Sequence, residues 1–179
     1  MLDILYAAPV NLSLLVFLLG CVGLDLLFGD PGDWPHPVRL MGRALDFLEG
    51  WARRCWLGPV AGGGLVVAGL AGLSFAVAAV LTGLPLVGEL LALYLGYAGL
   101  AWGCLLRETS AVLALLERGN LPAARAHLAG LVSRDTADMD QDEAYRALGE
   151  TLAENFNDGF VAPLFWLALF GPAAQWAYK

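Results

Sequence analysis

The chain has 179 residues, of which 59% are hydrophobic and 15% charged, with a formal net charge of −7. A soluble domain carries about 25% charged residues, and an acidic chain without a basic patch argues against nucleic acid as a partner. The deficit is concentrated: no charge lies between Asp3 and Asp25, Arg54 and Glu89, Glu89 and Arg107, or Asp158 and Lys179, and runs of this kind reach the roughly 18–20 apolar residues of a membrane span.

The first apolar run, residues 10–28, lacks a basic segment ahead of it. Gly29-Asp30-Pro31 follows where a cleavage site would stand, so a retained span is expected and not a signal peptide. Asp25 lies inside this run, one turn from its end. An ionisable group at that depth is a functional candidate by default, the alternative being a hydrated interfacial carboxylate.

Residues 29–58 form a first polar region, opening Gly29-Asp30-Pro31-Gly32-Asp33-Trp34-Pro35-His36-Pro37. Its prolines and glycines forbid regular structure and stiffen the backbone. Such a loop can hold Asp30, Asp33 and His36 in fixed positions, with Arg39 and Arg43 following one helical turn apart. A histidine between prolines is ordinarily a surface residue; here its clustering with two carboxylates and two arginines favours a site. Residues 38–56 read as a short amphipathic helix, with Trp51 and Trp56 suited to the membrane interface.

Two further spans are expected over 59–82 and 86–106. Gly62-Gly63-Gly64, Gly69 and Gly72 permit close helix packing, and without a following Gly-Lys-Ser/Thr they are no phosphate loop. Cys21 and Cys104 lie in apolar runs as packing residues, and no cysteine spacing suggests a metal. In the second polar region, 107–158, one helix should end at Gly119 and another begin near Asn120, with Pro122 in its first turn. Asp138-x-Asp140-x-Asp142 is no calcium loop, because Glu143 stands at the glycine position and Gly149 at the glutamate position.

Asp140 and Glu143 instead read as a capping box that starts a helix near Gln141. On that helix Glu143, Arg146, Glu150, Glu154 and Asn157 share one stripe, and Tyr145, Leu148, Leu152 and Phe156 the opposite, apolar one. The polar stripe, with Asp158 and Gly159 just beyond, suits Mg²⁺ and phosphates; the alternative is a solvated face held by i,i+4 pairs. The last run, 160–178, contains Pro163 and Gly171-Pro172. These point to a broken or re-entrant segment, tolerated only where it is buried in protein or lines a cavity.

All nine arginines fall within 39–54 or 107–146. The positive-inside rule then puts both polar regions in the cytoplasm and the N-terminus outside, so that the two regions can meet. The expected fold is all-α: a polytopic membrane helix bundle of about four apolar segments, forming one integral-membrane domain.

The stretch Asp25-Leu-Leu-Phe-Gly-Asp-Pro31, followed by Trp34-Pro-His-Pro-Val-Arg-Leu-Met-Gly-Arg43, resembles the start of the CobD/CbiB family of adenosylcobinamide-phosphate synthases. Arg134-Asp135-Thr136, Glu150-Thr-Leu-Ala-Glu-Asn155, Asp158-Gly159, Ala162-Pro-Leu-Phe165 and Ala177-Tyr-Lys179 resemble it in the same order. Family members continue beyond the motif at Tyr178-Lys179, so the chain resembles an N-terminal portion.

The resemblance implies a multi-pass enzyme of the cell (inner) membrane, in cobalamin biosynthesis. It would join aminopropanol, or its phosphate, to the carboxylate of adenosylcobyric acid as an amide, using ATP. Mg²⁺, ATP and the corrinoid are the implied cofactors and substrates. The lipid bilayer is the expected surrounding, with other cobalamin-biosynthesis enzymes or further copies of the chain as protein partners. Within the matching motifs, Glu150, Glu154 and Asp158 are expected to hold Mg²⁺–nucleotide, aided by Asn155 or Asn157. Arg39, Arg43 and Arg134, with Asp135 and Thr136, would bind substrate and phosphates, and His36 would carry protons beside Asp30 and Asp33. The competing readings are a non-enzymatic transporter or assembly subunit and an inactive homologue. A transporter should concentrate its polar groups at mid-membrane, whereas these lie at the ends of spans.

Overall fold

A computed structural model describes residues 12–30, 37–54 and 58–179. Every element among the described residues is helical: α1 (Leu12–Phe28), α2 (Pro37–Ala52), α3 (Pro59–Thr82), α4 (Gly88–Ala98), α5 (Trp102–Glu117), α6 (Leu121–Leu128), α7 (Gln141–Phe156), a π-helical turn (Asn157–Val161) and α8 (Ala162–Tyr178). Three stretches, Pro59–Thr82, Gly88–Glu117 and Gln141–Tyr178, are long and apolar enough to cross a membrane when counted through their breaks; Leu12–Phe28 is a shorter apolar helix. The fold is thus the all-helical membrane bundle that the apolar runs demand, since only self-satisfied backbone survives in hydrocarbon.

α3 is the most lipid-like helix, with 11% of its apolar window buried by the rest of the chain. Gly63, Gly64, Gly69 and Gly72 have no neighbour within 4 Å of an added Cβ. The close packing expected at these four glycines is therefore not made within the described residues. α2 lies against α3 as an amphipathic helix, ending at Ala52, and Trp51 is exposed. Trp56, Asp33 and His36 fall outside the described residues.

The expected span over 86–106 is not one helix. It stops at Ala98, and a new helix starts at Trp102 and runs on to Glu117, well into the polar region. Broken backbone at this depth leaves helix-end groups short of partners, and distant side chains add to them, although the Leu95 carbonyl also accepts the Gly99 amide at 3.0 Å. Trp176 Nε1 donates to the carbonyl of Leu95 at 3.1 Å, and Gln175 Nε2 donates to that of Gly96 at 3.0 Å. On the other side of the break, Asp25 Oδ2 accepts the amides of Trp102 at 3.0 Å and Gly103 at 3.1 Å.

α8 is broken as its glycine and proline predict. Gly171 adopts φ 81° and ψ −177° immediately before Pro172. The Trp166 and Tyr178 rings then stack with centroids 6.5 Å apart, whereas a straight helix would separate these positions by roughly 18 Å. The segment doubles back on itself, and its second arm delivers Gln175 and Trp176 to the α4–α5 break.

Two cores result. One gathers Cys21, Leu95, Leu100, Phe160, Leu167 and Trp176 around the break. The other joins α5, α6 and α7 through Val112, Leu116, Leu128, Ala144, Ala147 and Leu148. α6 begins after Gly119 (φ 71°) with Asn120 as its N-cap, and α7 begins at Gln141 with the Asp140–Glu143 capping box. The buried face of α7 is Ala144, Ala147, Leu148 and Thr151; of the expected apolar stripe Leu148 is buried and Leu152 and Phe156 half-buried, but Tyr145 is 37% exposed. The reason is steric: the two small alanines let α7 approach α5 closely, and a tyrosine would hold it off.

Candidate functional site

The α4–α5 break is where the two polar regions meet. From the first region come the last turn of α1 and Gly29–Asp30. Asp25 is 1% exposed, and its carboxylate is spent on the first amides of α5. Beside it the Gly29 amide donates to the Asp25 carbonyl at 2.7 Å, closing the end of α1 with φ 56° at Gly29. Gly103 faces the same carbonyl so closely that an added Cβ would lie 2.0 Å from it. One turn on, Arg107 Nη2 donates to the Phe28 carbonyl at 3.2 Å, and its guanidinium covers Gly29.

From the second region comes the π-turn. Gly159 approaches Ala101, 3.4 Å from its added Cβ. The Trp102 ring packs on Phe156 and Phe160, with centroids at 5.4 and 4.5 Å. This contact holds Asn157 and Asp158, which are exposed, beside the break, and Asn157 Nδ2 donates to Asp158 Oδ1 at 2.7 Å. A π-turn inside a helix re-aims its side chains and is frequent at functional sites.

The doubled-back arm of α8 adds Lys179. Burial pushes its ammonium below the ordinary lysine range, and the carboxylates of Asp25, Asp158 and Asp30 pull it back up. Neither Arg107 nor Lys179 was expected at the site. Their signals were modest: Arg107 is the first charge after a long apolar run, and Lys179 is the sole lysine.

The other expected residues among the described ones lie along α7, between α6 and α7, or on α2. Arg134 pairs with Glu150 across the exposed surface. Glu154 and Glu150 lie on the exposed stripe with Glu143 and Arg146, but Glu143 is engaged in its capping box. Asn155 turns back to its own helix, donating to the Thr151 carbonyl at 2.9 Å. Asp135 accepts the Ala137 amide at 2.9 Å, and the buried Thr136 hydroxyl donates to the Arg125 carbonyl at 2.9 Å. Arg39 and Arg43 are exposed on α2.

As a metal site the arrangement is open. Among the described residues no three acidic, histidine or cysteine side chains converge on a position for an ion. Glu154 and Asp158 are exposed oxygen donors on consecutive turns. That fits Mg²⁺, which binds through one or two carboxylates with the remaining positions left to phosphates and water.

The family described as CobD/Cbib protein matches residues 18–179. The chain is 43% identical over 165 residues to the cobalamin biosynthesis protein CobD of Pelobacter propionicus, covering 87% of this chain and 50% of that protein. It is 37% identical over 164 residues to the cobalamin biosynthesis protein CbiB of Salmonella typhi, covering 87% and 51%. With the CobD of Listeria monocytogenes serovar 1/2a it shares 35% over 173 residues, covering 93% and 55%. The chain thus spans about half the length of these relatives, and no solved structure matches it. A match that runs from α1 to Lys179 takes in every element gathered at the break, and the chain belongs to the CobD/CbiB protein family.

Proposed function

We propose that this chain serves cobalamin biosynthesis as the N-terminal part of an ATP-dependent amide-forming enzyme of the cell membrane. The bond formed would join the nitrogen of aminopropanol, or of its phosphate, to a carboxylate of adenosylcobyric acid. Both polar regions would face the cytoplasm, with the N-terminus outside. The observation that carries this reading is the joining of the two polar regions at the α4–α5 break, where Asp25 of α1 holds the Trp102 and Gly103 amides and the Trp102 ring packs on Phe156 and Phe160 of the π-turn, within a chain of this family.

An unactivated carboxylate does not acylate an amine, so its carbon must first be made a better acceptor, most simply as an acyl phosphate with ATP as the phosphoryl donor. Mg²⁺ would supply charge neutralisation at the phosphates, and Glu154 and Asp158 are the carboxylates to hold it. Lys179 and Arg134 offer positive charge to phosphate or carboxylate oxygens, Arg134 once its pairing with Glu150 yields to the ligand. Arg39 and Arg43 would extend this charge from α2. The attacking amine arrives as an ammonium and must lose a proton; Asp30, and His36 and Asp33 farther along the sequence, are the bases proposed for it. Ala101 and Trp102, packed under the π-turn, would shield that side from water.

The test is amide formation by membranes containing this chain, given ATP, Mg²⁺, adenosylcobyric acid and aminopropanol phosphate, with a full-length relative as control. Product that disappears in Glu154→Gln and Asp158→Asn is expected. Product at undiminished rate in both variants would remove the metal assignment. No product beside an active control would overturn the assignment of the reaction to the residues of this part.

A further inference from the structure

Arg107 sits where the first polar region leaves α1. Its guanidinium donates to the Phe28 carbonyl at 3.2 Å and lies across Gly29, so close that an added Cβ would fall 1.5 Å from Nη2. Gly29 carries φ 56°, and its amide is bound to the Asp25 carbonyl. The same turn of α1 is fixed from below by the Asp25 carboxylate on the first amides of α5. Arg107 is one turn along that helix from Gly103. The exit of α1 is therefore gripped on two sides by α5, and the next residue is Asp30.

We propose that Arg107 is a positioning residue: by bonding the Phe28 carbonyl and covering Gly29, it fixes the direction in which the chain leaves α1, and hence the placement of Asp30. This assignment rests on the amide-forming reading for its catalytic consequence, but the grip itself is a property of the fold. Gly29 is part of the device for two reasons. Its left-handed backbone turns the chain sharply, and its missing side chain leaves the space in which the guanidinium lies.

Two variants separate these roles. Arg107→Ala removes the donor. Gly29→Asn tolerates the positive φ, but its Cβ must push the guanidinium away. Each is compared with Arg107→Lys, which keeps a cationic donor on a flexible stem. The full chain in membranes is assayed for amide formation, and hydrogen exchange is followed in peptides covering residues 27–38 and 141–156. Faster exchange at residues 29–30 is expected in Arg107→Ala and Gly29→Asn, with residues 141–156 unchanged as the sign of an intact fold. With it kcat should fall about tenfold to a hundredfold at nearly constant KM, as for a misaimed catalytic group, and Arg107→Lys should recover part of the loss. Unchanged exchange in Arg107→Ala overturns the proposal, and so does faster exchange with a wild-type kcat. If wild-type membranes form no amide, the function proposed above fails separately, and exchange alone still decides whether Arg107 holds the turn.

Discussion

Asp25 and Gly103 are bound to each other twice over: the Asp25 carboxylate accepts the Gly103 amide at 3.1 Å, and the Asp25 carbonyl fills the space where a Gly103 side chain would stand. An ionisable residue inside an apolar helix thus acts as the N-cap of another helix 77 residues later in the sequence. The carboxylate flagged as a functional candidate is first of all the fastening of a broken span.

Replacing Asp25 by alanine leaves the Trp102 and Gly103 amides unsatisfied in a buried site, at a cost of about 1–3 kcal/mol. Asparagine keeps an accepting oxygen and should cost much less. Thermal unfolding in detergent distinguishes the two. Equal losses in both variants would mean that the negative charge, and not the cap, is what matters at this position.

The glycines divide sharply by surroundings. Gly103→Ala would drive a methyl into backbone that cannot yield, so destabilisation of at least about 1–3 kcal/mol is expected. Gly149 lies inside α7 with nothing within 4 Å of an added Cβ. Gly149→Ala should accordingly stabilise by roughly 0.5–1 kcal/mol through helix propensity alone. Loss of stability at Gly149→Ala would contradict the open space described there.

Arg134 and Glu150 are each about half exposed, and an exposed pair of this kind contributes about 0–1 kcal/mol. Arg134→Ala should therefore scarcely move the unfolding temperature, yet abolish turnover if Arg134 meets substrate phosphate. The double variant Arg134→Glu with Glu150→Arg rebuilds the pair with its charges exchanged. Wild-type turnover in that protein would reduce the pair to a surface contact.

Lys179 gives a pH signature. Burial lowers its pKa in the folded protein, so between that lowered value and the ordinary lysine value of about 10.4 the unfolded chain binds more protons. Stability must rise with pH across this window, and the cost of burying the ammonium is fully present below it. Lys179→Met should flatten the rise. Parallel melting curves for wild type and variant through the alkaline range would show that Lys179 is not strained by its burial.

Local signals were legible in the sequence. The capping box at Asp140 and Glu143, the stop at Gly119 and the fracture at Gly171-Pro172 all depend on residues within a turn or two, and all occur. The α4–α5 break was not legible, because residues 86–106 hold no proline after Pro85 and read as one apolar run. Its partners, Asp25, Gln175 and Trp176, lie about 80 residues away on either side. The glycines at 96, 99 and 103 were the available hint, since each makes room for another segment. At the candidate site, Asp30 and Asp158 were visible as polar residues at the ends of spans. Arg107 was hidden because it acts on backbone, and Lys179 because its approach depends on a reversal of α8.

The pairing of Gln175 with the Gly96 carbonyl also sets an order of events at the ribosome. The donor is made 79 residues after the acceptor, which at about 5–20 residues per second is roughly 4–16 seconds of synthesis. During that interval the end of α4 has Asp25 already available to α5, but no side chain for its own carbonyls. The nascent bundle therefore has to keep this end wet or shielded until the last arm of α8 emerges. Closure of the α4–α5 break thus waits on the second arm of α8.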